Sequence, residues 1–280
     1  MALESPLSFA SDGFAVTAAE PWLLDKTAVI GQYVEAFVNT QPANSNDLIF
    51  IDLFAGNGLY SLGAKHELFP TPCLSVLARQ LPFTRYILCD ANQEQLNILK
   101  IRTNKYFRGK NILLLNGRPA ALADSLVHYI PPSQTRYKTH VLCLCDSFSL
   151  DLAFAAVQKL SELNISFLIP FCFALNDKLN YRFYTREART KLDDYLTPPG
   201  AAQVQMASGN NRTFYKKLVG QFQNNMLALG YNISRSTHKA DSGLMELPAY
   251  QIGFFSKTFS AHAVRQVVQA TGHVQFELFQ

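Results

Sequence analysis

Four polar residues, Asp52, Asp90, Asn116 and Asp146, each close a short apolar run, at successive intervals of 38, 26 and 30 residues. The runs are Leu48–Ile51, Arg85–Cys89, Asn111–Leu115 and His140–Cys145, rich in leucine and β-branched residues. Their length and continuity predict parallel strands buried on both faces. Three carboxylates and an amide gathered at one sheet edge would supply acceptors for hydroxyl and ammonium groups, and an amide able to pair with a base. After Asp52 the chain reads Leu-Phe-Ala-Gly-Asn-Gly58. Gly56 and Gly58 lack Cβ and tolerate positive φ, so backbone can approach a ligand closely there.

The elements that must position these groups follow from periodicity. A helical apolar period runs from about Glu20 through Trp22, Leu23, Val29, Ile30, Tyr33, Val34, Phe37 and Val38, with Lys26 between its apolar turns. Residues before it are predicted to form a loosely held arm. Leu59 to Pro70 reads as a loop because of Gly63 and Pro70. A helix begins at Thr71-Pro72, with Thr as N-cap and Pro at the first helical position. The intervening residues weaken any role for that helix end at Gly58. Helices are predicted over Gln93–Phe107, after Pro119, and over Asp151–Leu163, with a fifth strand at Ile165–Phe173. Repeating βα units of this kind describe a doubly wound parallel sheet, whose ligands lie across the strand carboxyl ends. Further on come a helix at Thr213–Leu229, a strand pair at Tyr231–His238 and Ala249–Ser256, and a last helix capped by Ser260. The predicted division is an N-terminal arm and helix (1–45), a Rossmann-like core (46–175), a helical substrate or cap insertion (176–230), and a terminal strand pair and helix (231–280).

Composition excludes several classes. A net charge of +4 in 280 residues permits a polyanionic partner without requiring one. No apolar run reaches the length of a membrane span, and the N-terminus lacks the basic and apolar pattern of a signal peptide, which together predict a cytoplasmic protein with no membrane partner. The five cysteines, Cys73, Cys89, Cys143, Cys145 and Cys172, lack metal-ligand spacing and are read as small buried hydrophobes, with no metal expected. The six histidines are scattered, and neither a hydrolase triad nor a phosphate-binding loop is evident. Lys178, Arg182, Arg186 and Arg189, spaced four, four and three, are predicted on one face of a helix. That face suits nucleic acid, or is a solvated exterior, since Asp177, Glu187, Asp193 and Asp194 lie nearby.

Five parallel strands closed by an antiparallel pair are the layout of the class I S-adenosylmethionine-dependent methyltransferases. Ile51-Asp-Leu-Phe-Ala-Gly-Asn-Gly58, followed by Tyr60, Gly63 and Thr71-Pro72-Cys73, resembles more narrowly the three-Cys-motif partner (TcmP) proteins. The closing Tyr250–Lys257 run is similar to that family's last strand. Asn57 stands where the family has proline, and Asp146-Ser-Phe-Ser149 where it tends to have Asp-Pro-Phe/Tyr-Gly. The resemblance implies a doubly wound Rossmann-like methyltransferase fold, S-adenosyl-L-methionine as cofactor, a methyl acceptor of unknown identity, and a cysteine-motif protein as partner.

On that reading Asp52 attracts the cofactor's ammonium, and Gly56 and Gly58 bring backbone to its carboxylate. Asp90 accepts from the ribose hydroxyls, while Asn116 and Gly117 border adenine. Phe54, Ala55, Asn57 and Ala91 complete the cofactor wall. The alternative for each polar residue is an N-cap or a loop-stabilising role. Methyl transfer needs alignment more than a strong base. Asp146 is the candidate to take the nucleophile's proton or orient a substrate amine, and Phe148 to stack on a planar substrate. Tyr60 and Lys26 are candidate contacts to the substrate or to the groups holding it. A decayed methyltransferase acting as a binding partner, a dinucleotide enzyme and a nucleic-acid-binding module are the competing readings.

Overall fold

The computed structural model describes residues 9–41, 47–173, 182–207, 209–240 and 249–258, together with 260, 263, 264, 266 and 268. The elements up to the middle of the chain are β1 (Thr17–Ala19), α1 (Pro21–Asn39), β2 (Asp47–Asp52), β3 (Leu59–Leu62), β4 (Glu67–Pro70), α2 (Pro72–Ala78), β5 (Arg85–Asp90), α3 (Gln93–Tyr106), β6 (Ile112–Asn116) and α4 (Pro119–Leu126). They are followed by β7 (Thr139–Leu144), α5 (Phe154–Ser161), β8 (Ser166–Phe171), α6 (Arg189–Leu196), α7 (Pro198–Ala207), α8 (Asn211–Ala228), β9 (Asn232–Lys239) and β10 (Ala249–Ser256).

The main sheet has seven strands in the order β6-β5-β2-β7-β8-β10-β9. The first five run parallel, and β10 is antiparallel to both β8 and β9. This is the predicted arrangement of five parallel strands and a closing pair. Strand sequence reverses between β2 and β7, which opens a crevice at their carboxyl ends. The apolar runs dictate this placement: β2 and β7 are central and almost wholly buried, whereas β6 is an edge strand with half-buried leucines.

Two expectations are corrected. Leu59–Pro70 is a β-hairpin, in which β3 and β4 pair from Leu59↔Pro70 to Leu62↔Glu67. Gly63 provides the turn with φ 64°, and Pro70 ends the edge strand of the small sheet β1-β3-β4, where its missing N–H costs no ladder bond. The hairpin returns the chain to its start, since the Thr71 N–H donates to the Gly58 carbonyl at 2.9 Å. The beginning of α2 therefore abuts the glycine turn despite the residues between them. Residues 9–19 are not a loose arm either. Phe9 is buried edge-on against Tyr106, with ring centroids 5.0 Å apart, and β1 pairs in parallel with β3.

Helices α6 and α8 close one face of the sheet through an aromatic cluster. The Phe222 ring lies 5.0 Å from Tyr195, 5.5 Å from Phe154 and 5.6 Å from Phe171. All five cysteines are buried and unbridged, in keeping with their apolar runs. Among the described residues no helix is long and apolar enough to cross a membrane.

Candidate functional site

Asp52, Asp90 and Asn116 are the last residues of β2, β5 and β6, so three strand exits share one edge. Hydrogen bonds tie them into a continuous wall. The Gly56 N–H donates to Asp90 Oδ2 at 2.9 Å, and Asn92 N–H to Asp90 Oδ1 at 2.7 Å. Asn116 Nδ2 donates to the carbonyls of Asp90 at 3.0 Å and Ala91 at 3.3 Å. Asp90 is half-buried, and Ala91 and Asn116 are exposed, so this part of the wall is open to a ligand.

The turn after β2 needs its glycines. Gly56 has φ 61° with open space where a Cβ would stand. Gly58 has φ 92°, and a Cβ there would meet Leu74 at 2.8 Å and Leu99 at 2.9 Å. Gly58 thus serves packing of the turn on α2 and α3, whereas Gly56 faces free space. Phe54 is half-buried and donates its N–H to Asp52 Oδ1 at 2.9 Å. Ala55 is buried, with its N–H on the Cys89 carbonyl at 2.8 Å and its own carbonyl accepting from Cys73 Sγ at 3.4 Å. Gly117 is half-buried with φ 155°.

The Asn57 side chain is committed inside the protein. It is buried, its Oδ1 accepts from the Leu59 N–H at 2.9 Å and from Arg102 Nη1 at 2.9 Å, and its Nδ2 donates to Thr17 at 3.1 Å. Arg102, fully buried, also donates to the Asn57 carbonyl at 2.8 Å and makes a two-point pair with Asp12 at 2.8 and 2.9 Å. The guanidinium holds the Asp12 carboxyl below the usual range, and one cation fastens both the N-terminal segment and the glycine turn. Sequence reasoning missed Arg102. Its signal was a cation on the Leu96, Leu99, Thr103 stripe of α3, where an apolar residue is the ordinary choice.

Asp52 is buried and lies in the field of Asp146, Asp90 and Lys26. Burial raises its carboxyl to about 8, the two neighbouring acids add to the rise, and the Phe54 N–H and Lys26 oppose it. Asp146, two residues beyond β7, is 5% exposed and carries Lys26 Nζ on both oxygens, at 2.8 and 2.7 Å. Lys26 is itself fully buried on α1, with its Nζ 4.1 Å from the Phe148 ring centroid and 5.9 Å from that of Trp22. Asp146, Phe148 and Lys26 therefore form one unit, in which the carboxylate is already neutralised. Tyr60 is buried in β3, and burial pushes its hydroxyl well above the usual phenol range, with Asp146 and Asp52 contributing.

The order of the seven strands, counted along this sheet alone, is 3-2-1-4-5-7-6. This is a doubly wound, Rossmann-like α/β sheet closed by an antiparallel strand pair. No family model and no curated protein matches the sequence. Among solved structures the chain is similar to the Legionella pneumophila protein LPL1258, of family-model DUF519, with a TM-score of 0.53 and 9% identity over 88% of this chain and 91% of that one. It is also similar to an O-methyltransferase from Bacillus cereus in complex with SAH, with a TM-score of 0.46 and 8% identity over 84% of this chain and 81% of that one. An SAM-dependent O-methyltransferase from Thermotoga maritima matches with a TM-score of 0.42 and 9% identity, over 86% and 67% of the two chains. At 9% identity the likeness to LPL1258 is one of fold alone.

The predicted basic helix face is not formed as expected. Lys178 lies outside the described residues. Residues Phe183–Glu187 make a short π-helical turn that breaks at Ala188 (φ −110°, ψ 38°), so Arg189 starts a separate helix, α6. Arg182 and Arg186 are exposed, and Arg189 lies 3.9 Å from Asp193.

Proposed function

We propose that the protein is an S-adenosylmethionine-dependent methyltransferase whose cofactor lies along the exits of β2, β5 and β6. The observation that carries this reading is the hydrogen-bonded wall of Gly56, Asp90 and Asn116 beside the crevice where strand order reverses. Asp90 would accept from the two ribose hydroxyls, for which its half-exposed carboxylate is suited. The Asn116 side chain, Gly117 and Ala91 would border adenine. Gly56, with Phe54 and Ala55, would bring backbone to the methionyl end, whose ammonium would face Asp52. Asn57 contributes through its backbone and its anchoring by Arg102.

The cofactor, when bound, supplies the electrophilic methyl group. The protein's own part is alignment and exclusion of water. Asp146 is fixed by Lys26, so it would orient the acceptor or balance its charge rather than wait as an unpaired base, with Phe148 beside it. Tyr60 and Lys26 would shape the same region from beneath.

A second reading, a methyltransferase fold kept as a binding partner, is favoured by that same closed Lys26–Asp146 pair. The finer family reading, on the Ile51–Gly58 run, gives the protein a cysteine-motif protein as partner. Incubation with methyl-labelled adenosylmethionine and cellular RNA, DNA and protein fractions separates the two. Label transferred to any fraction supports the enzyme, whereas cofactor binding without transfer favours the binding partner.

A further inference from the structure

Residues 195–240, which span α7, α8 and β9, contain five Lys or Arg and no Asp or Glu. The whole chain carries only +4, so this stretch accounts for all of its excess positive charge. Arg212, Lys216, Lys217, Arg235 and Lys239 are all exposed. Helix α8 spends its apolar face on the sheet through Phe214, Leu218, Phe222 and Met226. The opposite stripe, Lys217, Gly220, Asn224 and Leu227, recurs at three and four residues and faces outward.

Two grooves border that stripe. The groove between α7 and α8 has a volume of about 620 Å³ and is lined by Gln203, Met206, Lys216, Lys217, Gln221 and Asn224. A second groove of about 480 Å³ lies between α8 and β9, with Asn224 common to both and Asn232, Ser234 and Arg235 on its far wall. Gly220 leaves open space above the helix midway along. From Lys217 to Leu227 the helix rises about 15 Å, the span of roughly four phosphates at about 3.4 Å each along a stacked strand. The basic end of α8 also sits at the carboxyl edge of the sheet. Tyr215 Oη donates to the carbonyl of Phe171, the last residue of β8, at 3.0 Å and accepts from the Gln251 N–H at 2.8 Å.

We propose that the two grooves act together as one trough that binds the phosphodiester backbone of nucleic acid. The cations neutralise phosphates, and the amides of Gln203, Gln221, Asn224 and Asn232 bond to sugars and base edges. With no aromatic ring among its lining residues, the trough reads the backbone, so binding is steeply salt-dependent and tolerant of sequence. This proposal differs in location from the Arg182–Arg189 segment, which contains Glu187 and is followed by Asp193 and Asp194, and it stands independently of methyl transfer.

The test is fluorescence anisotropy of the full chain with a labelled single-stranded RNA of about 20 nucleotides, and with DNA of the same sequence, over roughly 50 to 200 mM salt. Lys216→Glu/Lys217→Glu/Arg235→Glu is compared with Arg186→Glu/Arg189→Glu, and Lys216→Gln/Lys217→Gln/Arg235→Gln serves if charge reversal prevents folding. The wild type should bind RNA, DNA or both with affinity falling as salt rises. The trough variant should bind about tenfold or more weakly at low salt, with a log–log salt slope shallower by about 2 for three lost contacts. The Arg186/Arg189 variant should bind like the wild type. Three outcomes overturn the proposal: no binding at low salt, equal binding by the trough variant, or equal loss in the Arg186/Arg189 variant. Binding to phosphatidylserine vesicles without binding to either oligonucleotide also overturns it. Calorimetry with adenosylmethionine on the trough variant keeps the cofactor reading separate, because that site should be unaffected.

Discussion

Lys26 and Asp146, 120 residues apart in sequence, form a two-point ion pair buried between α1 and the end of β7. The pair joins the helix that precedes the sheet to the edge where acceptor chemistry is expected, and Phe148 covers its cationic end. Both charges have lost their water, so each depends on the other.

Lys26→Met should therefore be strongly destabilising, by about 3–5 kcal/mol, because it strands the Asp146 carboxylate. Lys26→Met/Asp146→Leu should recover much of that loss. Urea unfolding of the two singles and the double measures it. Additive losses in the double variant would show that the two residues are not coupled.

Asp52 makes stability depend on pH. The native state holds its proton to about pH 8, whereas an unfolded carboxyl with the usual value near 3.8 releases it much earlier. Between these values the native state binds more protons, so stability contributed by Asp52 is full below about pH 4 and declines up to about pH 8. Thermal melts across that window should show a downward slope with rising pH that Asp52→Asn removes. An ammonium placed beside Asp52 would favour its charged form, so cofactor binding at neutral pH should release a proton. Binding enthalpies in buffers of different ionisation heat should differ accordingly.

Much of the sheet was legible because apolar runs ending in Asp52, Asp90, Asn116 and Asp146 recur at βα spacing. What escaped was pairing over long separations. Gly63 and Pro70 look like loop punctuation until β3 and β4 are seen to pair, and Thr17–Ala19 becomes a strand only because β3 is there to receive it. Asp12 and Arg102 lie 90 residues apart, and their pairing leaves no local pattern. Asp52, Asp90 and Asn116 do close their strands, as their apolar runs suggest, while Asp146 lies two residues past the end of β7. The internal use of Asn57 and the neutralisation of Asp146 were not legible, since both depend on which cation the fold brings alongside.

The two glycines should separate experimentally. Gly58→Ala combines positive φ with contacts under 3 Å to Leu74 and Leu99, and should cost roughly 1–3 kcal/mol of stability. Gly56→Ala meets nothing, so its cost should stay near about 1 kcal/mol of backbone strain. Cofactor affinity should fall for Gly56→Ala out of proportion to its melting temperature. Equal effects on folding and binding from both substitutions would argue against Gly56 as the ligand-facing position.

Arg102→Met should release the segment around Asp12 and slacken the Asn57 turn together. Limited proteolysis should then cut between Phe9 and Thr17, where the wild type resists, and adenosylmethionine affinity should fall. Continued resistance to protease would show that Phe9 and β1 hold the segment without Arg102.

The central claim is the cofactor site along β2, β5 and β6, and calorimetry with adenosylmethionine on wild type and Asp90→Ala tests it most directly. Saturable binding at one site per chain, weakened at least about tenfold, or about 1.4 kcal/mol, by Asp90→Ala, is the expected result. No binding to the folded wild type, or undiminished binding by Asp90→Ala, would contradict it.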